Sequence, residues 1–189
     1  ISASKNALKE WEMSGENRSR TLRGHSDYIY AVAATPDGRF AISGAYDETI
    51  RIWNLTTDSE EKVLTGHSGR IGCLAVTANS QTVLSGAADG RIKLWDIASG
   101  QTLQTITGHR GEILDLALSS DGQTVASASH DSDVRLWQLD GQPITKLEAH
   151  KKPVTAVSFS ANGQILATKS ADGTVRLWRT DSWETIAIL

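Results

Sequence analysis

The chain has a single cysteine, Cys73. One thiol cannot close an intramolecular disulfide or build a cysteine-rich zinc site, and no metal or other cofactor is expected. There are only three prolines, and aromatic residues make up 6% of the chain. Apolar runs last a few residues, far short of the ~20 needed to cross a bilayer as a helix, so no membrane partner is expected. Charge of one sign is scarce as well. Nineteen Lys and Arg against 22 Asp and Glu leave a net charge of -3, whereas a nucleic-acid surface usually shows a clear basic excess. No nucleic-acid partner is expected. No signal peptide is visible, and the first residue is Ile1 rather than Met. A cytoplasmic location is the expectation. What is present, 39% hydrophobic and 22% charged residues in 189, suits a soluble globular chain.

The chain is rich in repetition. Trp11, Trp53, Trp95, Trp137 and Trp178 lie 42, 42, 42 and 41 residues apart, and His25, His67, His109 and His150 lie 42, 42 and 41 apart. Gly-His occurs at 24–25, 66–67 and 108–109, with Ala149-His150 in the last copy. Each copy predicts four short strands. The first holds Ile29 and Val32, Ile71 and Leu74, Ile113 and Leu116, or Val154 and Val157. These pairs are three apart, so strict alternation fails unless a β-bulge inserts a residue. A turn follows at Asp37-Gly38, Asn79-Ser80, Asp121-Gly122 or Asn162-Gly163, pairs that accept the positive φ of hairpins. The second strand is FAIS, TVLS, TVAS or ILAT, and the third TIRIW, RIKLW, DVRLW or TVRLW. The fourth is weaker, as in TLQTI at 102–106 and TIAIL at 185–189.

Four antiparallel strands per ~40–45 residues, with Gly-His and Trp-Asp signatures, resemble the WD40-repeat family. Trp95-Asp96 is the literal signature, and Trp11-Glu12, Trp53-Asn54, Trp137-Gln138 and Trp178-Arg179 are its variants. The resemblance covers essentially the whole chain and implies an all-β fold, a β-propeller of four-stranded antiparallel blades. Four full repeats are expected at 22–63, 64–105, 106–146 and 147–189. Residues 1–21 are expected to be the third and fourth strands of a partial blade, aligned with 84–100 after a short turn near Lys5-Asn6. Half a blade plus four suggests a fragment of a longer chain, because the resemblance implies roughly seven blades closing into a ring, and the regular, closely similar copies resemble bacterial arrays of the family. Further blades of the same chain, or self-association through exposed blade faces, are the expected neighbours.

Each copy holds the ingredients of a hydrolase triad. Asp47, Asp89, Asp131 and Asp172 precede the tryptophans by six residues, and Ser43, Ser85, Ser127 and Thr168 precede these aspartates by four. Catalysis needs one such set, with an oxyanion hole and a cleft. Four equivalent sets suit a structural brace, in which Trp, Ser or Thr, His and Asp satisfy one another when buried. The resemblance implies this role, so the expected braces are His25–Ser43–Asp47–Trp53, His67–Ser85–Asp89–Trp95, His109–Ser127–Asp131–Trp137 and His150–Thr168–Asp172–Trp178. In the first, partial copy the aspartate position falls near Lys5-Asn6, so its brace is expected to be altered. Arg51, Lys93, Arg135, Arg176 and Lys9 precede the tryptophans by two, which places them on the indole's face of a strand.

Function is expected where the copies differ. The residues flanking the first-strand aliphatic are Tyr28 and Tyr30, Arg70 and Gly72, Glu112 and Leu114, Pro153 and Thr155. Those before the brace aspartate are Tyr46, Ala88, His130 and Ala171. In the family such positions face one end of the ring, around its channel. All three tyrosines fall there, in one copy, and His130 is the one histidine outside the repeated position. The candidate partner-binding residues are therefore Tyr28, Tyr30, Tyr46, Arg70, Glu112, Leu114 and His130. Alternatively the tyrosines fill a blade edge and Arg70 and Glu112 are solvated surface. The expected function is a non-catalytic scaffold for a protein or peptide. The alternative is a sensor domain of a larger signalling protein, such as a kinase or signalling ATPase. An enzyme built on the propeller is a third reading, and too few unrepeated acid, base or ligand groups support it.

Overall fold

The structure is a computed structural model and describes residues 1–11, 19–148 and 150–189. Glu12 of the first signature pair and Ala149 of the last Gly-His position lie outside the described residues. The described residues form strands and turns, with no helix among them. β1 (Ser2–Ser4), β2 (Ala7–Trp11) and β3 (Ser19–Arg23) make a three-stranded sheet. Four sheets of four antiparallel strands follow. The first contains β4 (Ile29–Ala34), β5 (Phe40–Ala45), β6 (Ile50–Asn54) and β7 (Ser59–Leu64), and the next β8 (Ile71–Val76), β9 (Thr82–Ala87), β10 (Ile92–Asp96) and β11 (Thr102–Ile106). Then come β12 (Ile113–Leu118), β13 (Thr124–Ser129), β14 (Val134–Gln138) and β15 (Pro143–Leu147), and finally β16 (Val154–Phe159), β17 (Ile165–Ser170), β18 (Val175–Arg179) and β19 (Thr185–Ile188). These are β-propeller blades, four complete and one partial.

Two local features follow from the sequence pattern. The pairing of the first two strands slips between Ile29 and Ala31, Ile71 and Cys73, Ile113 and Asp115, and Val154 and Ala156. A bulge therefore inserts Tyr30, Gly72, Leu114 or Thr155, which explains the three-residue spacing. The following turn takes positive φ at Gly38, Ser80, Gly122 and Gly163. Asp37 holds that turn by accepting from Thr35 Oγ1 at 2.5 Å and from Arg39 N at 3.0 Å.

The partial blade differs from the expectation of two strands within 1–21. It has a third, β1, because Lys5 adopts φ 53° and folds Ser4 back opposite Ala7. The turn lies near Lys5-Asn6 as expected, but the strand before it, Ser2–Ser4, is only three residues long and too short to show a pattern of its own. Its last strand also runs to Arg23, past the expected boundary at residue 21. The fourth strands of three full blades likewise end one residue beyond their expected boundaries, at Leu64, Ile106 and Leu147.

The core lies between blades. Ile42, Ile50, Ile52 and Leu64 pack against Ile71, Val83, Ala87 and Trp95 of the next blade, and the same arrangement recurs at the other junctions. Each fully buried aliphatic of this kind contributes roughly 1.5–3 kcal/mol. Close approach needs small residues. A Cβ on Gly86 would lie 2.5 Å from Ile113 Cγ2 of the next blade. At the ends of the arc the same positions are open: Trp11 is 46% exposed where Trp53 is 2%, and Leu189 is 73% exposed where Leu64 is 3%. Lys169 occupies the place of Gly44 and Gly86 in the last blade and is exposed.

Candidate functional site

Antiparallel pairing of the second and third strands sets Ser85 opposite Lys93, on the face that carries Trp95. The indole N–H of Trp95 donates to Ser85 Oγ at 2.8 Å, Ser85 Oγ lies 2.8 Å from His67 Nε2, and His67 Nδ1 lies 2.9 Å from Asp89 Oδ2. The other three blades repeat this chain with all four bonds of each kind between 2.7 and 3.1 Å. The same aspartate oxygen also accepts from the backbone N of Ser26, Ser68, Arg110 or Lys151. The partial blade keeps one link, Trp11 to Ser2 Oγ at 2.9 Å. It has a lysine in its turn where the others have aspartate.

The order of protons follows from the donors. A carboxylate only accepts, so Nδ1 carries the imidazole hydrogen. The indole fills one lone pair of the hydroxyl, whose own hydrogen goes to Nε2. Every polar atom is satisfied with a neutral imidazole. Burial pushes His25, His67 and His109 below the usual histidine value, against the upward pull of their aspartates. Burial also raises the Asp89 and Asp131 carboxyls. Hydrogen bonds from His67 and Ser68 N at Asp89, and from Arg110 N and His109 at Asp131, outweigh it and hold both below the usual carboxylate range.

Ser, His and Asp thus stand in triad order, but Ser43, Ser85 and Ser127 are buried and already hold an indole. A nucleophile needs access to a substrate, and these hydroxyls have none. Two residues missed in the sequence extend the brace: Thr49 and Thr174 donate to the second oxygen of Asp47 and Asp172 at 2.7 Å. Their signal was position, two residues after the aspartate. Arg91 and Asp133 stand there in the middle blades.

A family model described as WD domain, G-beta repeat matches residues 16–54, 59–96, 100–138 and 141–179. The chain belongs to the WD40-repeat family. Each match begins with the outermost strand of one blade and ends with the third strand of the next, so the sequence repeat is offset from the sheet by one strand. WD40 domains are in general non-catalytic scaffolds that bind proteins. A search of curated proteins finds no match to this chain.

The candidate binding residues are drawn together by one recurring backbone bond. The residue before each brace aspartate donates its N–H to the carbonyl of the residue before the first-strand aliphatic: Tyr46 to Tyr28, Ala88 to Arg70, His130 to Glu112 and Ala171 to Pro153, each at 2.9 Å. Both classes of variable position therefore meet in every blade. Across blades, Arg70 donates through Nε and Nη2 to the two oxygens of Glu112, both at 2.6 Å, and through Nη1 to Tyr46 Oη at 2.7 Å. Its guanidinium carbon lies 4.9 Å from the Tyr46 ring centre and 5.5 Å from that of Tyr30. The two rings stand edge to face at 5.5 Å. The Glu112 bond is the chief cause of a raised Arg70 pKa.

Tyr30, Tyr46, Arg70 and Glu112 are thus one cluster. Tyr28 flanks it and lines a shallow pocket with Lys5, Asn6, Ser26 and Asp27. Tyr28, Tyr30 and Tyr46 are 59%, 60% and 38% exposed. Leu114 is the half-buried bulge residue beside Glu112, and His130 is exposed. Neither makes a side-chain bond to the cluster among the described residues. Asp115, also missed, sits one bulge step on. Burial raises its pKa, and it accepts from Val157 N of the next blade at 2.9 Å. Among the described residues no group of three or more His, Cys, Asp or Glu could hold a metal ion.

Proposed function

We propose that the chain is a non-catalytic platform that holds a protein or peptide on the propeller's end face, with Tyr28, Tyr30, Tyr46, Arg70, Glu112, Leu114 and His130 as the contact surface. One observation carries the reading. The repeated polar residues are consumed in buried braces, while Tyr30, Tyr46, Arg70 and Glu112, which differ between copies, meet in one surface cluster whose two tyrosines are exposed and whose ion pair is half-buried beneath them. Tyrosine and arginine dominate binding hot spots because they offer large area with polar tips. The braced blades supply rigidity, so the partner meets a surface already formed.

The test is selection from a displayed random-peptide library on the wild-type chain and on a variant with Tyr28, Tyr30 and Tyr46 all replaced by Ala. The expected result is a set of binders specific to the wild type, with the variant's melting temperature close to its parent's. Selection of the same peptides by both proteins would overturn the reading. So would a collapse of stability in the variant, which would make the tyrosines core.

A further inference from the structure

Resting on that reading of the end face, we propose that Tyr30 and Tyr46 form a dock for a proline-bearing peptide segment in the polyproline II conformation. The charged groups of the cluster already hold one another. Arg70 spends Nε and Nη2 on Glu112 and Nη1 on Tyr46. An acidic partner would have to compete with a bidentate pair at 2.6 Å. A cationic partner would meet ring faces that already hold a guanidinium at 4.9 and 5.5 Å, and like charges repel there. The pair is electrically balanced, and what it presents outward is aromatic surface.

Of the recurring modes of peptide recognition, two others fit poorly. Strand addition needs a regular free edge, and the first strand is broken at Tyr30 by its bulge. A docked amphipathic helix needs an aliphatic groove, and this surface is two edge-to-face tyrosines 5.5 Å apart. A polyproline II segment needs what is present. Its proline rings are apolar and neutral, and its backbone makes no internal hydrogen bonds, so its carbonyls look for donors. The hydroxyls of Tyr28 and Tyr30 have no bond to any described residue. Arg70 holds the rings in place, so little side-chain freedom is left to lose on binding. Residues flanking the prolines would run over the shallow pocket of Lys5, Asn6, Ser26 and Asp27 beside Tyr28.

The experiment is calorimetric titration of the 189-residue chain with decamers of proline, serine, lysine and glutamate at physiological salt. Expected are saturable binding of the proline decamer, a loss of at least about tenfold in Tyr30→Ala and Tyr46→Ala, and near-retention in Tyr46→Phe. The lysine and glutamate decamers should bind no better than serine. Tighter binding of lysine or glutamate overturns the proposal, as does proline binding that is absent or indifferent to Tyr30→Ala. The peptide library separates the two readings. Tyrosine-dependent binders without proline would sink the proline dock and leave the end-face platform standing. A library with no tyrosine-dependent binder would sink both.

Discussion

Ser85 Oγ accepts the indole N–H of Trp95 at 2.8 Å and lies 2.8 Å from His67 Nε2, fully buried between them. One hydroxyl therefore satisfies two buried rings. Ser85→Ala is expected to orphan both and to cost about 2–4 kcal/mol, more than Asp89→Ala, which orphans the buried His67 N–H but releases Ser68 N and Arg91 N where water can replace the carboxylate, and should cost about 1–3 kcal/mol. Urea denaturation of the two variants checks the order. Equal losses would mean that water replaces the hydroxyl.

Thr49 and Thr174 add a side-chain bond on the far side of the aspartate, where Arg91 gives Asp89 only its backbone N–H at 3.0 Å. Arg91→Thr should add that bond to Asp89 and stabilise the chain by about 0.5–1.5 kcal/mol, and Thr49→Val should lose a similar amount. The readout is the shift in denaturation midpoint. An unchanged midpoint in both would show that solvent satisfies the second oxygen equally well.

The spacing of Ile29 and Val32 required a bulge, and the position of Ser43, Asp47 and Trp53 in every copy required a shared network. Both are periodic, so each copy tests the others. The turn at Lys5-Asn6 was legible, but the strand Ser2–Ser4 before it was not, since three residues are too few to show an alternating pattern. The tyrosines were visible as exceptions, but not their meeting with Arg70. The clue lay in the period itself. Arg70 and Glu112 are one repeat of 42 residues apart, and Asp115 meets Val157, the residue next to its own equivalent Ala156 across the shorter last repeat of 41. Equivalent positions on adjacent blades are neighbours, so complementary side chains one repeat apart should be read as contacts.

Acid should unfold the chain through its braces. His25, His67 and His109 have pKa values lowered in the folded state, chiefly by burial, so the unfolded chain binds more protons as pH falls below the ordinary histidine value of 6.5. Their contribution is complete above that value and is lost as pH falls towards the folded pKa values. A second loss follows below 3.8, the ordinary aspartate value, as Asp89 and Asp131 protonate in the unfolded chain first. Asp115 acts oppositely. Burial raises its pKa, so its contribution weakens as pH rises from 3.8 to its folded value. Melting temperature between pH 8 and pH 5 should fall with acidity, and a flat profile would contradict a neutral buried imidazole.

The Arg70–Glu112 pair spans two blades with side chains 31% and 14% exposed. Partial exposure screens it, so a double-mutant cycle of Arg70→Ala and Glu112→Ala should give a coupling of only about 1 kcal/mol in stability. Its larger effect should fall on Tyr46, whose hydroxyl loses its donor. Ring-proton line widths of Tyr46 should change in Arg70→Ala while the brace tryptophans keep their spectra. Broad disturbance of those tryptophans would make Arg70 a structural residue.

Gly86 sets how closely two blades approach, since an added Cβ would meet Ile113 Cγ2 at 2.5 Å and Cys73 Sγ at 2.6 Å. Neither neighbour can swing away, because Ile113 is fully buried on the next blade and Cys73 is buried within its own. Gly86→Ala should therefore cost about 1–3 kcal/mol through overpacking. Ile113→Ala alone should cost about 2–5 kcal/mol through the cavity it leaves. Combined, the new methyl fills part of that cavity, so the double variant should be more stable than the sum of the single losses predicts. The coupling read from denaturant midpoints tests whether steric contact, rather than backbone freedom, keeps a glycine there. Simple additivity would assign the glycine to the strand's own conformation instead of to the junction between blades.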